Sequence, residues 1–253
     1  VLKPGTILNR LYEQLESSAQ NRQIADLRVG LSYVGIQLDN GMAGLAAVLP
    51  ETMPRSCTVL NKAGTYIGAS AAKTLRYLAE GGGNLLSAIG LATANAMTGP
   101  VGDLAEDREA TTYLNLKPGE KVVMVGLFAP LVERIRATGA VLTIIEKNPA
   151  RLELLSPEAK QQSLQTCDVA IITATTLLNH TFENIISLLG APRTVLLLGP
   201  STPLRFSIFD NTPVTHLGGA IIADSSRVLQ VISEGGGTPA LRPYLRFVNL
   251  LRK

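Results

Sequence analysis

The sequence predicts an α/β protein in two parts, an N-terminal α+β module over residues 1–99 and a parallel-sheet domain over residues 100–253. Three observations predict it. Within the first hundred residues, strand patterns come first and helical patterns second, the order of an α+β module. A polar stretch from Thr98 to Glu120, broken by Gly99, Pro100, Pro118 and Gly119, reads as a linker. Beyond it, short apolar runs alternate with helical patterns, as in a parallel sheet with helices on both faces.

Thr6 to Ala19 places Ile7, Leu8, Leu11, Tyr12 and Leu15 on one helical face, with Thr6 as N-cap. Leu27, Val29 and Leu31 alternate, as do Val34, Ile36 and Leu38. The change of register between the two runs predicts a turn or bulge near Ser32–Tyr33. Asp39-Asn40-Gly41 predicts a hairpin with a type I′ turn, because Asn-Gly accepts positive φ. The return strand covers about Met42 to Leu49 and ends at Pro50 and Pro54. Ser70 to Ala79 predicts a helix, and Gly81-Gly82-Gly83 breaks it. Asn84 then caps a helix over Leu85 to Met97, whose small residues let a neighbour approach the backbone.

In the second part, Val122 to Leu127 is an apolar run long enough for a strand buried on both faces. Gly126 breaks it, and Pro130 sits in a first helical turn, where its missing N–H is harmless. Leu131 and Ile135 form the helical stripe, Gly139 ends it, and Val141 to Ile145 is the next strand. Glu146 follows Gly126 by twenty residues, where Rossmann-type folds commonly place an acid on a ribose hydroxyl. The unit therefore points to a nucleotide-like ligand at the carboxyl ends of the sheet. The dinucleotide fingerprint G-x-G-x-x-G is incomplete, since Phe128 and Leu131 replace its second and third glycines. NAD or FAD bound in the usual manner is not expected, and Phe128 reads instead as a wall or stacking face for a flat ligand. Further strands are predicted near 168–173, 194–199, 214–217 and 219–223, then a helix from Ser225 to Ser233.

Hydrophobic residues at 46% and charged residues at 17% supply a substantial core and argue against disorder. No apolar run reaches about 18 residues, so no spanning helix is predicted. The first residues lack the apolar core of a signal peptide, Val1 in place of Met points to processing, and two cysteines make no disulfide framework. A cytoplasmic location is the resulting expectation. The 23 basic and 20 acidic residues are scattered, apart from Arg242, Arg246, Arg252 and Lys253, which read as a solvated helix face. Aromatics are few and tryptophan is absent, so the stacking-plus-basic footprint of a nucleic-acid reader is missing. The expected partner is a small-molecule ligand, with neither nucleic acid nor membrane; a homo-oligomer is left open.

Polar residues collect where the predicted strands end. Thr175, Thr176, Asn179, His180 and Thr181 follow one strand, Gly199, Ser201 and Thr202 another, and Asp224 the last. With Phe128 and Glu146 they are expected to line one crevice. Thr181 is also a good N-cap, whereas Asn179 is less easily read as one and could donate to a ligand. His180 is the general-base candidate, because neutral imidazole accepts a proton near pH 7. The proline-braced Gly199–Pro203 loop reads equally as an anion site or a rigid turn. Cys57, Cys167, His180 and His216 lack zinc-site spacing, so each cysteine reads as a small buried apolar residue. His216 lies on an edge-strand pattern. No cofactor can be named from these residues.

Six segments taken together carry a family resemblance: D-N-G-M-A-G-L-A at 39–46, A-I-G-L-A-T-A-N-A at 88–96, V-V-M-V-G-L-F-A-P-L at 122–131, T-x-x-N-H-T at 176–181, L-L-G-P-S-T-P-L at 197–204 and G-G-A-I-I-A-D at 218–224. In this order they resemble the prokaryotic putative heavy-metal chelation domain family, formerly a domain of unknown function, over nearly the whole chain. The resemblance implies an enolase N-terminal-like module followed by a Rossmann-like domain, with a cleft between them. It implies a setting of metal handling, and condensation or hydrolysis of pterin-, flavin- or siderophore-like molecules as the suggested roles. By motif match the implied cleft residues are Asn95, Gly126, Phe128, Glu146, Asn179, Thr181, Gly199, Ser201, Thr202 and Asp224. The barrel that carries enolase chemistry is absent, so that activity does not transfer. Two other readings stand beside this one: a non-catalytic binder of a metal or metal–chelator complex, and a nucleotide- or S-adenosylmethionine-dependent enzyme.

Overall fold

The computed structural model describes residues 2–49, 58–81, 83–99 and 110–252; Cys57, Pro50, Pro54 and Pro100 lie outside the described residues. Helix α1 (Thr6–Ala19) buries Ile7, Leu8, Leu11 and Leu15 of the expected stripe, while Tyr12 is only half-buried. Its N-cap is Gly5 at φ +83°, not Thr6, whose hydroxyl donates to the Lys3 carbonyl at 2.6 Å. The free Ile7 N–H of the first turn is satisfied by the distant Glu183 carboxylate at 3.0 Å.

Strands β1 (Ile24–Val29), β2 (Tyr33–Leu38) and β3 (Ala43–Ala47) form an antiparallel meander. The Asp39-Asn40-Gly41 hairpin forms, but not with a type I′ turn. Gly41 has φ +81° and Asn40 does not have positive φ, while Leu38 N–H donates to the Met42 carbonyl at 2.8 Å. This is a three-residue loop with its left-handed residue last, stabilised by the Asn40 carboxamide oxygen accepting Met42 N–H. The helix expected over 70–79 is two short ones, α2 (Ala71–Leu75), capped by the Ser70 hydroxyl, and α3 (Tyr77–Glu80). In α4 (Asn84–Thr98) the N-cap is Gly83, and Asn84 is already helical. The small residues of α4 do admit a close neighbour, namely β3.

The second sheet has the order β5-β4-β6-β7-β8-β9. It comprises β4 (Lys121–Val125), β5 (Val141–Ile145), β6 (Val169–Thr173), β7 (Thr194–Leu198), β8 (His216–Ile222) and β9 (Leu245–Leu251). The first five in sequence are parallel, and β9 runs antiparallel to β8. Helices α5 (Ala129–Ala137), α6 (Pro157–Thr166), α7 (Thr175–Leu178), α8 (Phe182–Leu188), α9 (Ser225–Ser233) and α10 (Thr238–Leu241) connect them. The two strands expected at 214–217 and 219–223 are a single strand. Gly218 and Gly219 do not break it, because Leu198 and Leu204 side-chain carbons lie 2.7 and 2.8 Å from where their Cβ atoms would stand. His216 is accordingly interior, between β7 and β9, rather than on an edge. The C-terminal arginines are not a helix face. Arg246 sits on β9, Arg242 covers the Phe247 ring and Arg252 the Phe206 ring.

Strand alternation divides the core. Val123, Val125, Ala170, Ile172, Val195 and Leu197 face the layer that contains α1, α4 and α8, and they share one core with the first module. Val122, Met124, Val169, Ile171 and Leu196 face the other layer, packed on Leu131 and Ile135 of α5 and on Leu114. The meander is covered on its outer side by α9, where Tyr33 and Leu45 join Val228 and Ile232. At Gly35 a Cβ would stand 2.8 Å from side-chain carbons of Leu229 and Ile232, so this glycine lets α9 lie flat on β2. Cys167 is a buried free thiol, as expected, and burial pushes its pKa up. No helix among the described residues is long and apolar enough to cross a membrane.

Candidate functional site

Where β3 and α4 meet β8 and the loop after β7, the chain forms a partly open cavity of about 150 Å³. Met42, Leu45, Leu204, Ile221 and Ile222 supply apolar wall, and Asn95, Thr98, Thr202 and Ser225 supply polar groups. Two predicted residues, Asn95 of α4 and Thr202 of the loop after β7, are therefore brought together in its lining. The Asn95 carboxamide nitrogen donates to the carbonyls of Leu45 at 3.0 Å and Ser201 at 3.3 Å. Both partners are acceptors, which fixes the amide orientation and leaves its oxygen free. That Asn95 oxygen and the Thr202 hydroxyl are buried without a hydrogen-bond partner among the described residues. Buried side-chain oxygens are ordinarily paired, so these two stand out, although neither atom is exposed to the open space of the cavity.

The adjoining loop is built for rigidity. Gly199 takes φ +132° and donates to the Gly218 carbonyl, and Thr202 N–H closes the turn onto Gly199. Ser201, which is 2% exposed, does not face the cavity. Its hydroxyl accepts Ala47 N–H at 2.8 Å, pinning the end of β3 to the second sheet. Asp224 is exposed and caps α9 by accepting Arg227 N–H, while its neighbours Ala223 and Ser225 line the cavity.

The remaining candidates are not among the residues that line this cavity. Phe128 is half-buried against the α5 side of the sheet. Gly126, at φ +84°, lets the chain pass over Thr173, whose methyl would stand 2.8 Å from a Cβ. Glu146 braces the same turn. One of its oxygens accepts Lys147 and Asn148 N–H at 2.7 and 3.2 Å, the other Leu127 N–H at 3.3 Å and the Arg151 guanidinium at 2.9 Å. Burial raises its pKa, but the amides of Lys147 and Asn148, the Arg151 charge and the Leu127 amide outweigh that and hold it below the usual carboxylate value. All four acceptor positions of the carboxylate are thus used within the chain, and a ribose diol would have to displace one. Glu146→Ala is expected to lower stability by about 2 kcal/mol or more in urea titration, because three amides lose their acceptor. A loss within experimental error would show that the brace is dispensable.

Asn179, His180 and Thr181 form a local motif beside α1. The Asn179 oxygen accepts both the hydroxyl and the N–H of Thr181, at 2.6 and 3.3 Å, so Thr181 occupies the N-cap position of α8 without capping it. His180 has φ +55°, and its ring lies 3.5 Å from the position of a Cβ on Gly5. These residues order the approach of α8 to the first turn of α1. Glu183, 1% exposed and not anticipated, completes that junction through Ile7. Thr98 and Ser225 of the cavity were also missed, although the small-residue run of α4 was a signal for close approach at its face. A second cavity, of about 320 Å³, has the Tyr66 and Tyr77 hydroxyls in its wall, but these bond each other at 3.1 Å.

A family model described as putative heavy-metal chelation matches residues 109–251, and a second with the same description matches residues 12–98. An uncharacterised protein of Methanocaldococcus jannaschii is 25% identical over 123 residues, which cover 47% of this chain; the chain spans about half (48%) of that relative's length. Two solved structures share the fold. One is a protein with unknown function of the DUF364 family from Pyrococcus horikoshii, at TM-score 0.81 and 17% identity, covering 97% of this chain and 100% of that one. The other is a protein with unknown function of the same family from Desulfitobacterium hafniense, at TM-score 0.77 and 20% identity, covering 95% and 97%.

Proposed function

Because the chain belongs to the putative heavy-metal chelation family, we propose that it binds a small organic chelator, or a precursor of one, in the cavity between its two sheets. One observation carries this reading: the cavity is walled by apolar groups together with hydroxyl and amide side chains, with no titratable side chain among its described lining residues. The described residues do not fit direct capture of a metal ion. Among the described residues no three His, Cys, Asp or Glu side chains come together as a donor set. Soft metals call for thiolate or imidazole, whereas the cavity offers hydroxyl and amide oxygen. The lining also lacks a group suited to general acid–base work, so the reading is recognition of the organic ligand. The pterin-, flavin- or siderophore-like class belongs to this proposal as its widest form. Protein purified without added chelator should carry soft metal well below one equivalent, and titration with the metal salt alone should leave its melting temperature unchanged. Tight binding of one equivalent of bare metal would overturn the proposal.

A further inference from the structure

We propose that the outer edge of β1 is the contact between two copies of this chain, related by a twofold axis at Leu27. β1 is an edge strand of the meander. Its start is covered: Ile24 N–H donates to the Ala69 carbonyl at 2.9 Å, Gly68 N–H to the Ile24 carbonyl at 2.8 Å, and Gln23 bridges Ser70. From Ala25 to Val29 no strand lies on the outer side among the described residues. Gly30 N–H donates to the Tyr33 carbonyl at 2.9 Å, so by alternation Arg28 and Asp26 turn their backbone groups towards β2, while Leu27 and Val29 turn theirs outward. A row of unpaired N–H and C=O groups is a template for another strand. The open stretch is centred on Leu27. A second copy laid antiparallel on that centre pairs Leu27 with its own image, N–H to C=O in both directions, and joins the two meanders into one continuous sheet.

Side chains are self-complementary on this register. Within one chain the Arg28 guanidinium donates to both Asp26 carboxylate oxygens at 2.8 Å. With Leu27 on the axis, Asp26 of each copy stands directly opposite Arg28 of the other, so the two ion pairs close into a ring of alternating charge. An edge bearing a single sign of charge would repel its image, whereas this order of signs attracts it. Apolar surface follows the same symmetry. Leu31, 76% exposed, and Ile67, 69% exposed, are the two most exposed large apolar side chains among the described residues. Leu31 lies just past one end of the open stretch, and Ile67 precedes Gly68 at the other. Reversing the direction of the second copy therefore brings Leu31 of each chain up to the Ile67 segment of the other. β5, an edge of the second sheet, has no charged residue and carries no such match.

The test is sedimentation equilibrium of the whole chain at concentrations up to about 100 μM, with urea midpoints measured on every variant. The expected result is a reversible dimer. Leu31→Lys changes a side chain that is already in solvent, so it should fold normally and weaken the dimer about tenfold or more. Arg28→Asp sets aspartates opposite each other on both sides of the axis and should weaken it to a similar extent. Combining Arg28→Asp with Asp26→Arg restores the alternation of charge and should restore the dimer, which a mere folding defect would not do. Val141→Lys, on the β5 edge, is the control and should leave the dimer unchanged. A parent protein that stays monomeric throughout would overturn the proposal. So would a dimer that Leu31→Lys and Arg28→Asp leave intact, one that Val141→Lys breaks, or one weakened by Arg28→Asp and not recovered by the double variant. Each of these results leaves the reading of the cavity standing, because none of these residues lines it.

Discussion

Gly44→Ala should be among the most damaging single-methyl additions to this chain. A Cβ at Gly44 would stand 2.2 Å from the Ala96 nitrogen, 2.3 Å from the Ala92 carbonyl oxygen and 2.7 Å from the Asn95 carbonyl carbon. All three are helix backbone, which cannot rotate aside as a side chain could. The whole of α4 must lift from β3, and the shared core of both sheets must open with it. Overpacking of a core ordinarily costs about 1–3 kcal/mol, and a backbone clash of this depth belongs at or above the top of that range. A urea titration should show a lower midpoint with an unchanged slope. The same shift carries Asn95 away from the Leu45 and Ser201 carbonyls, which its amide holds at 3.0 and 3.3 Å. Gly237→Ala is the control, because the nearest atoms to its Cβ are at 3.7 Å and φ is −105°. It should cost less than about 1 kcal/mol. Similar losses at the two positions would show that β3 and α4 tolerate separation.

Much of this architecture was legible because its signals are local. The α1 stripe, the Pro130 and Gly139 bounds of α5 and the Ser225–Ser233 helix are fixed by residues within a few positions of one another. What failed depends on distant partners. Gly218-Gly219 resembles a break, yet the strand runs through it because Leu198 and Leu204 occupy the space that side chains would need. The C-terminal arginines look in sequence like a solvated helix face, yet two of them lie over the Phe247 and Phe206 rings at β9 and its partner loop. The candidate site divides in the same way. Asn95 and Thr202 were named from motif likeness, but what singles them out is the absence of a hydrogen-bond partner, a property no sequence window contains. Glu146 matched a ribose-binding position by spacing, while three amides and an arginine decide what its carboxylate does. The likeness of the first module to an enolase N-terminal module remains an expectation from sequence; the structure itself gives a three-stranded meander with helices on both sides.

Acid should destabilise the protein already between pH 6.5 and about 4, through His216. This residue opens β8, is 1% exposed, and bonds the Asn249 carboxamide oxygen through Nε2 at 3.0 Å. An oxygen acceptor requires the Nε2–H tautomer, which leaves Nδ1 bare, and Nδ1 has no partner among the described residues. The Tyr113 ring meets the imidazole edge-on at 5.7 Å. Protonation would bury a charge there. Burial therefore lowers the pKa from 6.5 to about 4, the Asn249 bond opposing it only in part. In the unfolded chain the imidazole takes its proton near pH 6.5, so across this window the unfolded state binds more protons than the folded one. The stabilisation is fully present above pH 6.5 and is lost as pH falls towards about 4, amounting to about 3 kcal/mol at 1.4 kcal/mol per unit. Carboxylates act lower. Arg193 hydrogen-bonds Glu120 and holds it at about 2, so its contribution is present above pH 4.5 and disappears only below that. Urea titrations at pH 7.5 and 4.5 should thus differ by about 2–3 kcal/mol in the parent protein and by much less in His216→Gln, which keeps a donor for Asn249 but cannot titrate. Equal pH dependence in the two proteins would mean that the buried imidazole accepts its proton without penalty, and that the acid sensitivity lies in the carboxylates.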